Sequence, residues 1–288
     1  MKNIWSRSFQ TRAVHAGERV PVADYIPVTT PISTAVGHIY DSMDDMDAVF
    51  AGSKQGYVYV RYNNPTVTAF EQAIASLERA EAAQAYSSGM AAIHAALLGC
   101  GARAGTSVVA AMEVYGATFT MLQGLFKTLG VNTCLVNVSD LSEVEKAIKE
   151  TKPVCVLVET ISNPLLKIAD VPALAALAHK YNAALLVDNT FASPYLFNPI
   201  SHGADFTIHS ATKYISGHGD VLAGVVATSA ENKKVFRVEQ IRGRGPWIFR
   251  GLPCITRFEN APITCRTAVS ECKAGSRMAP EAASCEAG

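Results

Sequence analysis

The sequence has no apolar run long enough to span a bilayer, and its first residues, Met1-Lys2-Asn3-Ile4-Trp5-Ser6-Arg7, lack the apolar stretch of a secretory signal. A cytoplasmic protein is the expectation. Net charge is also lacking: 25 Lys and Arg balance 25 Asp and Glu, mixed along the chain. That removes the electrostatic reason to expect nucleic acid or an anionic membrane as partner. None of the seven cysteines forms a C-x-x-C pair, and no histidine follows His218. The late cluster of Cys254, Cys265, Cys272 and Cys285 therefore does not have zinc-site spacing. Cys100, Cys134 and Cys155 lie in apolar, periodic segments and read as small core residues. No G-x-G-x-x-G follows the first strand, which disfavours a dinucleotide-binding α/β domain. Internal repeats and low-complexity segments are missing too.

What is present is enough apolar residue, 49% of 288, for a sizeable core in one large or two small domains. Residues 1–60 show no long amphipathic period, and Pro21, Pro27 and Pro31 bias their predecessors toward extended backbone. This reads as an extended arm, either hugging its own surface or packing on another subunit, with a short helix near Asp44–Phe50. From Pro65 helical spacing sets in, with Phe70, Ile74 and Leu77 on one face and Glu71, Glu78 and Arg79 off it.

Strands are predicted over 82–86, 107–112, 131–136, 153–159, 183–187, 205–209 and 222–228. Helices are predicted over 90–98, 116–129, 140–149 and 171–181. Gly130 is placed as a C-cap, Asp140 with Glu143 as a capping box, Pro172 in a first turn, and Asn182 as a cap. Apolar strands alternating with amphipathic helices predict an α/β fold, its mostly parallel sheet covered on both faces. From Pro253 to Gly288 that logic gives way to Ala, Ser, Glu and Cys without a clean period. The stretch reads as a divergent tail, not a second folded domain.

Four features fall at predicted strand ends, where open α/β sheets place ligands. Ser87-Ser88-Gly89-Met90 opens a helix, whose free N–H groups suit a phosphate, although a serine-glycine pair is more often only a cap. Glu159-Thr160-Ile161-Ser162-Asn163-Pro164 is a polar turn after an apolar strand. Asp188 closes another apolar strand; a carboxylate there needs a partner, whether a local backbone group or a cationic ring nitrogen. Ser210-Ala211-Thr212-Lys213 sets two hydroxyls beside an amine. Such a lysine is commonly a solvated charge, but a deprotonated amine bonds aldehydes covalently. A phosphate site, a carboxylate for a ring nitrogen and an amine for an aldehyde together suit one ligand, pyridoxal phosphate.

With these motifs the chain resembles the trans-sulfuration enzymes of cysteine and methionine metabolism: cystathionine gamma-synthase, cystathionine gamma-lyase, methionine gamma-lyase and O-acetylhomoserine sulfhydrylase. The resemblance runs from about Thr11 to about Leu252. Tyr57-Val58-Tyr59-Val60-Arg61-Tyr62-Asn63-Asn64-Pro65-Thr66 is similar to a family segment that reaches the cofactor phosphate of a neighbouring subunit. The resemblance thus implies that Tyr59 and Arg61 act in trans, in a homodimer or homotetramer. It implies a phosphate loop at Ser88, Gly89 and Met90, a ring-stacking and proton-donating Tyr115, and Asn163 on the ring oxygen. It further implies Asp188 on the ring nitrogen, Ser210 and Thr212 on the phosphate, and Lys213 as the cofactor lysine and base. The implied fold is the pyridoxal-phosphate-dependent transferase fold (fold type I, aspartate-aminotransferase-like), with residues 61–252 as its cofactor-binding domain. The implied activity is gamma-replacement or gamma-elimination on sulfur amino acids or activated homoserine.

Two departures from the family pattern stand out. Ala117 follows the Tyr-Gly pair where methionine gamma-lyases usually carry a cysteine, which lowers that branch. Family members also continue into a C-terminal domain with an arginine for the substrate's α-carboxylate. Arg257, Arg266 and Arg277 lie in the tail without that domain's pattern. The expectation is a shortened or frame-altered chain, and the alternative to an active enzyme is a cofactor-binding relative without turnover.

Overall fold

Seven five-residue strands carry the fold in a computed structural model that describes residues 6–16 and 27–239. They are β1 (Ala82–Tyr86), β2 (Ser107–Ala111), β3 (Asn132–Val136), β4 (Cys155–Glu159), β5 (Ala184–Asp188), β6 (Phe206–Ser210) and β7 (Gly224–Thr228). They form one sheet in the order β1-β7-β6-β5-β4-β2-β3. Every pairing is parallel except those of β7, which runs antiparallel to both β1 and β6.

The apolar runs follow from burial on both faces. Val108, Ala110, Leu157, Leu186 and Ile208 pack on one side, against α4 (Gly89–Gly99) and Phe236 of α9 (Ala230–Glu239). Val109, Ala111, Val156, Val158, Leu185 and Val187 pack on the other, against α6 (Leu141–Thr151) and α7 (Val171–Lys180). Beside them, α3 (Pro65–Glu78) covers Ala83, Ala85, Val225 and Ala227.

Each predicted strand is present within about two residues of its expected bounds. The helix expected over 116–129 begins as α5 (Gly116–Met121) and continues through a wider π turn, Leu122–Phe126. Gly130 ends it at φ +79°. The capping box at α6 is half formed. Asp140 accepts from the backbone N–H of Ser142 and Glu143, but Glu143 Oε1 accepts from Asn137 N at 3.2 Å. Asp170 caps α7, and Asn182, at φ +59°, lies just beyond it. The short α8 (Ser193–Leu196) has no sequence signal.

Two expectations need correction. The first 60 residues are not extended throughout. Besides α2 (Met43–Phe50), near the expected short helix, they form α1 (Phe9–His15). Ala13 and Ala16 bury against Phe70 and Ile74, and Arg12 donates to Ser76 O. Glu71 and Glu78 are not off the buried face of α3 but are enclosed. The helix is covered by β1, α1 and α8 together, so one amphipathic stripe does not describe it. Glu71 is held by Gln84 Nε2 at 2.7 Å, Ala85 N at 2.9 Å and Lys233 Nζ at 3.0 Å. The tail 253–288 and its four cysteines lie outside the described residues. No helix among those described is long and apolar enough to cross a membrane.

Candidate cofactor site

The strands β1, β2, β4, β5 and β6 all run one way, so their C-terminal ends share one edge of the sheet. At that edge stand Ser88 after β1, Tyr115 after β2, Glu159, Asp188 and Ser210 on the last residues of their strands, and Lys213 three residues on.

Two glycines let the β1–α4 turn press against β6 and the start of β7. A Cβ on Gly89 would lie 2.7 Å from Ser210 Cβ, and one on Gly224 would lie 2.0 Å from Ser88 O. Ser88 Oγ caps α4 by accepting from Ala91 N at 3.1 Å. The N–H groups of Gly89 and Met90 fall in the first turn, which supplies them no intrahelical acceptor, beside the Ser210 side chain. Thr212 is arranged differently from Ser210. Its hydroxyl donates to Ala223 O at 3.2 Å and accepts from Ala223 N at 3.1 Å, tying the Lys213 turn to the start of β7. The Lys213 side chain is exposed, while its backbone N–H donates to Ser210 O at 3.1 Å.

Asp188 accepts from both the N–H and the hydroxyl of Thr190, and that same hydroxyl accepts from Ser210 N at 2.8 Å. Burial pushes the Asp188 carboxyl up; the Thr190 donors and the nearby His209 hold it down. Glu159 is the direct cross-strand partner of Asp188. Its Oε1 accepts from Tyr115 N at 2.5 Å and its Oε2 from Asn163 N at 3.1 Å, so one carboxylate joins the loops that carry both residues. The Tyr115 side chain is half exposed. Sequence reasoning missed this bridging role of Glu159; its place between an apolar strand and the polar turn to Pro164 was the available signal.

Burial, and then the Asp188 charge, push the Glu159 carboxyl up to about 7. A raised carboxyl means that the folded state binds the extra proton, so stability falls as pH rises from the unfolded value near 4.5 toward 7. The unfolding free energy of the wild type should therefore fall relative to Glu159→Gln between pH 5 and pH 8, by on the order of 2 kcal/mol, read as a falling melting temperature. A constant difference across that range would exclude the shift.

Tyr59 and Arg61 stand elsewhere in the chain. The Arg61 guanidinium lies 5.3 Å from the ring centroids of both Tyr59 and Tyr62. Arg61 lines a cleft with Lys54, Asn63, Glu71 and Lys233, and none of Ser88, Tyr115, Asp188, Ser210 or Lys213 borders it.

The profile of the Cys/Met metabolism PLP-dependent enzymes matches residues 10–283. The chain belongs to this family. The match passes Leu252, where the motif resemblance was expected to end. Among curated relatives of the family, an L-methionine gamma-lyase of Fusobacterium nucleatum subsp. polymorphum is 44% identical over 77% of this chain and 55% of its own length. A cystathionine gamma-lyase of Bacillus subtilis is 44% identical over 63% of this chain and 47% of its own. The chain thus spans about half the length of the curated relatives it matches. Among solved structures, cystathionine gamma-lyase from Lactobacillus plantarum complexed with L-serine superposes with a TM-score of 0.80 at 31% identity, covering 89% of this chain and 65% of that one. The mostly parallel sheet and these neighbours establish the pyridoxal-phosphate-dependent transferase fold. The 44% match to a methionine gamma-lyase also weakens the argument drawn from Ala117.

The residues present fit the family's cofactor. The first turn of α4 and the Ser210 hydroxyl offer donors to a phosphate, and the absence of side chains at Gly89 and Gly224 lets that turn close on Ser210. Asp188 offers a buried carboxylate acceptor and Lys213 a solvent-facing amine on the same strand edge.

Proposed function

We propose that this chain binds pyridoxal phosphate at the C-terminal edge of its sheet and serves gamma-elimination or gamma-replacement on sulfur amino acids or activated homoserine. The observation that carries this reading is the convergence of the α4 N-terminus, Ser210, Asp188 and Lys213 on that one edge. When bound, the cofactor supplies an aldehyde to capture an amine and a ring that withdraws electrons from the adjacent carbon.

The chain's own residues supply the rest. The N–H groups of Gly89 and Met90, with the Ser88 and Ser210 hydroxyls, hold the phosphate oxygens; Thr212 joins them by exchanging its bond to Ala223. The Asp188 carboxylate would accept a hydrogen bond from the protonated ring nitrogen and keep the proton on that nitrogen. Asn163 orients the ring oxygen from a loop anchored by Glu159. Lys213 would hold the cofactor through its amine and would serve as the base for the proton on the substrate α-carbon. The Tyr115 phenol would lie against the ring and would donate a proton to the leaving γ-substituent. Residues 61–252 serve as the cofactor-binding domain. The preceding arm contacts a neighbouring subunit, so that Tyr59 and Arg61 complete the phosphate site across a homodimer or homotetramer. The place of Arg61 in a cleft away from that edge, with its guanidinium against the Tyr59 ring, supports this assignment.

The test is a turnover assay with added cofactor on methionine, cystathionine and activated homoserine esters. Release of keto acid marks elimination, and formation of cystathionine with added cysteine marks replacement. Cofactor capture without either product would favour a cofactor-binding relative that does not turn over. No capture at all would overturn the reading.

A further inference from the structure

Behind the proposed site, on the α3 side of the sheet, lies a buried polar network that none of the roles above uses. Glu78, the last residue of α3, is 0% exposed. A carboxylate in that position is costly unless donors surround it. His209 Nε2 meets Glu78 Oε1 at 2.5 Å and Asn189 Nδ2 donates to the same oxygen at 3.0 Å, while Asn198 Nδ2 reaches Oε2 at 3.5 Å. Asn189 spends its other bonds on Phe197 O at 2.9 Å and, through Oδ1, on the Thr160 hydroxyl at 2.8 Å.

Asn189 stands between Asp188 and Thr190, and His209 immediately precedes Ser210. Alternation along a strand turns neighbouring residues to opposite faces, so gripping Asn189 and His209 from behind sets the direction of Asp188 and Ser210 in front. Thr190 joins that front pair by its two bonds. The network is not what core stability alone would choose, because apolar residues of equal volume are commonly as stable as a buried ionic cluster. It also keeps a cost: among the described residues, His209 Nδ1 is buried without a partner.

We propose that Glu78, His209, Asn189 and Thr160 are positioning residues, a clamp that fixes the two strand ends carrying Asp188 and Ser210. The inference rests on the reading of that edge as the pyridoxal phosphate site.

The experiment titrates the full chain with pyridoxal phosphate and records the melting temperature of each cofactor-free protein beside it. The variants are Glu78→Gln, which keeps the shape but removes the charge, and Thr160→Val, which removes one bond at the far end. Thr160→Ser serves as rescue, and Ile74→Val serves as a core control on the same helix. Glu78→Gln and Thr160→Val should weaken binding about tenfold or more, as loss of supporting-shell contacts commonly does. The visible dichroism of the bound cofactor should change as its ring reorients. Thr160→Ser should restore both, and Ile74→Val should lower the melting temperature without changing affinity. Wild-type affinity in a folded Glu78→Gln, or an equal loss in Ile74→Val, would overturn the clamp. If Glu78→Gln does not fold, Thr160→Val and its serine rescue decide the matter by the same criteria. A wild type that binds no cofactor would instead overturn the site reading, and the clamp with it.

Discussion

Lys213→Ala should fold as the wild type does, yet lose covalent capture of pyridoxal phosphate completely. The lysine side chain is exposed, so its loss should change stability by no more than about 0.5 kcal/mol. The turn itself is held by backbone bonds, Lys213 N to Ser210 O and Gly217 N to Lys213 O, and by Thr212 on Ala223. Dialysis should therefore strip the cofactor from the variant, which keeps only the phosphate and ring-nitrogen contacts, while the wild type stays coloured. Any turnover should fall by about 10²–10⁴-fold for the missing proton acceptor alone. A variant that retains colour and activity would show that another amine does the work.

Gly224→Ala should cause the larger structural effect. A Cβ there would lie 2.0 Å from Ser88 O, 2.4 Å from Ser88 C and 2.8 Å from Gly89 N. All three are backbone atoms, so no side chain can swing aside. Overpacking of a core typically costs about 1–3 kcal/mol, and a clash against backbone should reach the upper end or beyond. For a chain of this size that lowers the melting temperature by roughly 10 °C. It should also push the β1–α4 turn away from the start of β7 and open the phosphate cradle, so cofactor affinity falls with stability. Gly116→Ala makes the contrast, because a Cβ there meets nothing within 4 Å among the described residues and should leave the melting temperature unchanged. Equal melting of the Gly224→Ala protein and the wild type would contradict the packing described.

These two effects show unequal legibility in the sequence. The Lys213 motif is readable because its chemistry lies in one short stretch. Gly224 is not, because the reason for it is a neighbour 136 positions away, Ser88. The strands were legible for a physical reason: burial on both faces makes each a short apolar run bounded by polar turns. Their order, and the reversal of β7, depend on long-range pairing that leaves no local pattern. Glu71 and Glu78 were misread because periodicity assumes one wet face, whereas α3 is enclosed on several sides. Their separation of seven residues, two helical turns, was an available sign that both share a face. The α1 helix, seven residues long, is too short to establish a period. Thr212 has a bond that its type did not announce: the fold ties its hydroxyl to the backbone of Ala223, eleven residues on.

The most direct test of the account is to incubate the wild-type chain with pyridoxal phosphate, reduce it with borohydride, and map the modified lysine by peptide mass spectrometry. The account predicts one stoichiometric label, on the peptide carrying Lys213. A label on another lysine, or none, would contradict it.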